Sequence, residues 1–132
     1  MPARRRVPLS EGREALQACL EAAEIDVLPR ERRATAVRYS LEELAARAPG
    51  RTVEVRVPPF GAAQCVEGPR HTRGTPPNVV ETDPQTWLLL ATGRMSWREA
   101  AERGAIRASG QRADLSAHLP LTAEHRDEPG RT

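Results

Sequence analysis

Two hydrophobic periods divide the chain. From Ser10 onward, Ala15, Leu16, Cys19, Leu20 and Ala23 recur at helical spacing, which predicts an amphipathic helix with one narrow apolar face, ended by Pro29. Ser10 is placed to cap it, ahead of a polar first turn of Glu11, Arg13 and Glu14. Arg30 to Arg33 reads as a solvated link. Ser40 followed by Glu43 has the form of a capping box. It opens a second helix in which Leu41, Leu44, Ala45 and Ala48 share a side, and Pro49-Gly50 stops it.

The period then changes to two. Val53, Val55 and Val57 alternate with Glu54 and Arg56, as expected of a strand with one buried face. A second strand is predicted over 62–67, with Ala63 and Cys65 on one face and Gln64 and Val66 on the other. Val79 to Thr82 reads as a third, and three strands in succession predict an antiparallel meander. Asp83-Pro84 combines an N-cap with proline at the first helical position. The helix it starts carries Trp87, Leu88, Leu89 and Leu90 and stops at Gly93. Ser96 and Glu99 open a short helix reaching Gly104, Ile106 and Ala108 mark another strand, and Asp114 caps a last turn carrying Leu115 and Leu119. The order is that of an α+β domain over residues 9–121. A mobile basic arm is expected at 1–8 and a disordered polar tail at 122–132.

Composition changes this picture in three places. Hydrophobic content of 39% is inflated by alanine and aromatics are only 3%, so the core is built mainly from Leu, Val and Ala. It is either thin or wrapped around a cavity. All 20 basic residues are arginine, which excludes Schiff-base chemistry through lysine, and arginine grips carboxylate or phosphate in a bidentate way. A net charge of +2 leaves nucleic-acid binding with little support. Cys19 and Cys65 lack metal-ligand spacing and point to a reducing compartment. No apolar run reaches signal-peptide or transmembrane length. The expectation is a cytoplasmic protein with no integral membrane association.

Candidate chemistry concentrates between Gly68 and Gly93. A loop holding Arg70, His71, Thr72, Arg73, Gly74 and Thr75, stiffened by Pro69, Pro76 and Pro77, lies beside the most apolar segment of the chain. Its guanidiniums and glycine-freed amides are able to cradle a carboxylate or phosphate. The alternative is a solvated hairpin loop whose arginines pair with Glu67, Glu81 or Asp83. It is not a Walker loop, for lysine is absent and the glycine spacing is wrong. Cys65 with His71 is a weak nucleophile and base, since Cys65 alternates as a core-facing strand residue. Cys65, Glu67 and His71 do not converge on a metal from one strand, and His118 and His125 lie far along the chain. Trp87 and Trp97 read as core or cavity-wall residues. With no complete catalytic constellation, the expectation is a non-enzyme with no cofactor and no metal.

The segment WLLLATGRMSWREAAERGAIRASG, residues 87–110, resembles the C-terminal half of the sterol carrier protein family. The matching positions are Leu88 to Leu90, Gly93, Ala100 or Ala101, Gly104, Ile106 and Gly110, within a resemblance covering roughly residues 50–120. More narrowly, the chain is similar to stand-alone sterol-carrier-like proteins of actinobacteria. The resemblance implies a mainly antiparallel twisted sheet with helices covering one face. It also implies an apolar cavity that accepts lipids such as fatty acyl chains or sterols. On that basis the chain is expected to be a non-enzymatic carrier of a lipid or other amphiphilic anion. Trp87, Leu88, Leu89, Leu90 and Ile106 would line its pocket, with Arg70, His71 and Arg73 at the mouth. A second implication comes from similar domains fused to mycothiol-dependent isomerases, which suggest an accessory module acting with a protein partner.

Overall fold

The computed structural model describes residues 5–68 and 78–122. Helix α1 spans Leu9–Glu21 and α2 spans Arg30–Arg47, joined by a single 3-10 turn at Ile25–Val27. Strands β1 (Val53–Val57), β2 (Gly61–Cys65) and β3 (Asn78–Thr82) follow. Then come α3 (Pro84–Ala91), α4 (Trp97–Glu102), β4 (Ile106–Ser109) and a closing 3-10 turn at Ser116–His118.

The expected helix starts are corrected twice. Ser10 does not cap α1: the N-cap is Pro8, with no side-chain bond. What fixes the entry is tertiary. The amides of Arg6 and Val7 donate to the two oxygens of Glu42, and Val7 is buried. Arg5, where a mobile arm is expected, pairs with Glu43 at 2.9 Å. Nor is Arg30 to Arg33 a link, for it is the first turn of α2, following Pro29 at the N-cap. Proline holds φ near the helical value and needs no donor there. Ser40, which has the form of a cap, lies inside α2. Its hydroxyl donates to the Val37 carbonyl at 2.9 Å, a back-bond that lets serine sit in a helix interior.

The strands pair in the order β2-β1-β3-β4. β1 and β2 form an antiparallel hairpin with Val53 opposite Cys65 and Val57 opposite Gly61. β3 and β4 are antiparallel as well. The meander is corrected at β3, which pairs with β1 in parallel, Val55 opposite Val80. Parallel neighbours need a long crossover, and residues 58–77, which include β2, supply the length for one. The sheet remains mainly antiparallel. Its alternation sends Val53, Val55, Val57, Cys65 and Val80 to the buried side, while Arg56, Ala62 and Gln64 face out. α2 lies against β2, α1 packs on α2, and α3 touches both helices.

The last two helices form as expected. Asp83 caps α3, accepting from the Thr86 amide and hydroxyl at 2.8 Å each. Gly93, at φ 78°, closes it: its amide reaches Leu90 and that of Arg94 reaches Leu89, a Schellman pair that only a left-handed residue completes. Ser96 caps α4 through the Glu99 amide at 3.0 Å, and Asp114 accepts from the Ser116 amide ahead of the closing turn.

At the centre stands Trp87, with no exposed surface. Its indole N–H donates to the Ser40 hydroxyl at 2.8 Å, tying α3 to α2 across the core. No buried side-chain polar atom among the described residues lacks a hydrogen-bond partner.

Candidate functional site: a cleft between the first two helices

A cleft of about 560 Å³ opens between α1 and α2. α1 contributes Arg13, Glu14, Leu16 and Gln17, and α2 contributes Tyr39, Glu43 and Arg47. Leu121 and Thr122 close one end. Helical spacing explains the grouping, since residues three and four apart share a face. Leu16, Tyr39 and Leu121 are almost wholly buried and make an apolar floor, while the charged groups stand at the rim.

Each wall is held by hydrogen bonds that bypass the core. The C-terminal end of α1 is gripped by Arg94, whose guanidinium donates to the carbonyls of Cys19 at 2.7 Å and Ala23 at 3.0 Å. The first is a carbonyl the helix end leaves unpaired, the second lies just past the C-cap, and a cation suits the dipole there. The segment bearing Leu121 and Thr122 is stitched to the end of α3 by Leu121 N–H to Ala91 O at 2.9 Å and Thr122 Oγ to Thr92 O at 3.2 Å.

At the rim, Glu43 accepts from Arg47 Nε at 2.7 Å and Arg5 Nη2 at 2.9 Å. Partial burial pushes its carboxyl up, but the hydrogen bonds from Arg47 and Arg5 outweigh this and leave it below the usual glutamate value. A depressed carboxyl contributes stability that is present above the ordinary carboxylate range and lost as pH falls through the folded value. Acidification from about pH 7 to about pH 3 should therefore release Arg5 from Glu43 and loosen the chain's entry to α1 before the sheet. Amide exchange followed by NMR checks this, and uniform loosening of α1 and the strands would refute it.

The expected apolar site residues do not line this cleft. Trp87, Leu88 and Leu90 are buried in the closed core, with Leu89 half-buried against it. None of the four borders the cleft. Ile106 instead lines a separate shallow depression of about 330 Å³ with Trp97, Ala113 and Asp114. Arg70, His71 and Arg73 lie outside the described residues. Of the carboxylates considered as their partners, Asp83 is taken up by Thr86, and Glu81 sits between Arg56 and Arg107 in the sheet register. Cys65 and Cys19 are buried free thiols, each pushed up to about 11 by burial, so neither is a poised nucleophile.

Sequence reasoning did not single out the cleft. Its floor combines Leu16 with Tyr39, the one tyrosine of the chain, and the two meet only once α2 is seen to begin at Arg30. The spacing of Arg13, Leu16 and Gln17 was the available signal.

A model of the bacterial SCP orthologue family matches residues 29–121, well over half of the chain. The chain belongs to this sterol-carrier family. No curated protein matches it. In this family member the matched region begins at the N-cap of α2, so α1, which supplies one whole wall of the cleft, precedes it. No helix among the described residues is long and apolar enough to cross a membrane.

Proposed function

We propose that this SCP family member is a non-enzymatic, cytoplasmic carrier that binds a lipid or similar amphiphile in the cleft between α1 and α2. The observation that carries the reading is the cleft itself. A cavity of about 560 Å³ with Leu16, Tyr39 and Leu121 on its floor and guanidiniums of Arg13 and Arg47 at its rim has the two-sided chemistry of a greasy chain with a polar end. Membership in a sterol-carrier family supports it. Arg70, His71 and Arg73, outside the described residues, remain in the proposal as candidate contacts for a polar head group. Trp87, Leu88, Leu89, Leu90 and Ile106 belong to it as groups a ligand would reach if it penetrated between helices and sheet.

The test is native mass spectrometry of the full chain, with solvent extraction of what is bound, followed by displacement of a fluorescent fatty-acid probe. Gln17→Trp places a bulky ring at an exposed position of the cleft without touching the core. It should weaken probe binding at least about tenfold, or about 1.4 kcal/mol, while leaving the circular dichroism spectrum intact. If the folded variant binds the probe as tightly as the parent, the ligand is not held in this cleft. Failure of every amphiphile to bind would turn the reading toward an accessory module that needs a protein partner.

A further inference from the structure

The carrier reading leaves open which head group the cleft selects, and the charges at its rim bear on this. Counting Arg5, whose guanidinium closes on Glu43, three guanidiniums and two carboxylates gather there. Glu43 is satisfied by Arg5 and Arg47 together, so both of those guanidiniums are already engaged. Arg13 is different. It stands exposed on α1 and closes no ion pair or hydrogen bond with another described residue. One helical turn on from it, Leu16 is 6% exposed and faces the same cavity.

A guanidinium outside any ion pair, beside buried apolar surface, suits an oxyanion head with an alkyl tail. The guanidinium fork donates two parallel hydrogen bonds to such a group, and charge makes them stronger than neutral ones. Glu14, next along α1, lines the same cavity and penalises a second negative charge on the ligand through like-charge repulsion. The rim as a whole carries one positive charge in excess, which one anion neutralises.

We propose that Arg13 is the head-group recognition residue of the cleft and that the preferred ligand is a singly charged alkyl carboxylate. The inference rests on the carrier reading and deepens it. Arg13 lies on α1, ahead of the region that matches the family model.

The experiment is a displacement series on the full chain with four ligands of equal tail: decanoate, decyl phosphate, decanol and decyltrimethylammonium. Decanoate should displace the probe about tenfold more tightly than decanol, the size of one charge-assisted contact, and more tightly than decyl phosphate at neutral pH. Arg13→Gln should bring the decanoate-to-decanol ratio close to one, whereas Arg98→Gln, on exposed α4, should keep it. Equal binding of decanoate and decanol by the parent would overturn this inference while leaving the carrier reading standing. Tighter binding of decyl phosphate would overturn the preference for a single charge. A ratio that survives Arg13→Gln and collapses in Arg70→Ala with Arg73→Ala would move head-group recognition to that loop and sink the role of Arg13. If none of the four binds, the carrier reading itself fails, and this inference with it.

Discussion

Trp87→Ala should destabilise the protein by about 3–5 kcal/mol, the range for emptying a large aromatic site in a packed core. Trp87 is the largest fully buried side chain and joins α3 to α2. Two effects act in the same direction. The indole leaves a cavity in a core built mainly from Val, Ala and Leu. The Ser40 hydroxyl also loses the donor it accepts from, although it still donates to the Val37 carbonyl. Ser40→Ala separates the two. It leaves the indole N–H buried without an acceptor, at a cost of about 1–3 kcal/mol. Trp87→Phe removes the donor together with part of the ring, so the Phe variant should become less sensitive to Ser40→Ala than the parent. Urea unfolding of the four proteins forms a double-mutant cycle. A Trp87→Ala cost below about 1.5 kcal/mol, outside the range for such a site, would mean that the indole is not packed as described.

The same pair shows how much of the fold was legible. Asp83-Pro84 and Ser96 announce α3 and α4 because their caps are local chemistry, and the structure uses those same side chains. The valines of β1 announce a half-buried strand because period two has no other reading. Ser40 and Glu43 carry the same local signature and it is false there. A serine three residues before a glutamate opens a helix only if the backbone before it is not already helical. That depends on whether Arg30 to Arg33 prefers solvent or a helix, and arginine is a good helix former. With Pro29 as a start, α2 runs through. The buried partner that makes Ser40 useful, Trp87, lies 47 residues away, beyond any window of local spacing.

The register of β3 failed to show for a related reason. Pattern tells which face of a strand is buried, not which neighbour it joins. Nothing in Val79-Val80 distinguishes pairing with β2 from pairing with β1. The cleft was not legible, because the most apolar residues, Trp87 to Leu90, are those the core claims first, while the cleft is built from residues of moderate hydropathy that two helices bring together.

Gly12→Ala gives the second large effect, and its sign is the informative part. In an exposed helix interior, glycine costs roughly 1 kcal/mol relative to alanine, so propensity alone predicts that the substitution stabilises α1. Packing predicts the opposite. A Cβ on Gly12 would overlap Cδ1 and Cγ of Tyr39 and lie 2.8 Å from its Cβ. The last of these atoms belongs to the root of the side chain, so a rotamer change of the ring does not relieve the overlap and α1 has to move off α2. Overpacking of this kind costs about 1–3 kcal/mol or more. An overlap reaching the root of Tyr39 belongs at the upper end, and the net effect should be a loss of about 1–2 kcal/mol after the propensity gain. Tyr39→Ala removes the obstacle. In that background Gly12→Ala should turn neutral or stabilising, a coupling of about 1–3 kcal/mol in a double-mutant cycle followed by urea unfolding. Because Tyr39 also forms the floor of the cleft, displacement of α1 should weaken fatty-acid probe binding in the single variant even at temperatures where the protein is fully folded. A Gly12→Ala protein more stable than its parent would show that α1 does not approach α2 this closely, and the cleft defined by that approach would have to be redrawn.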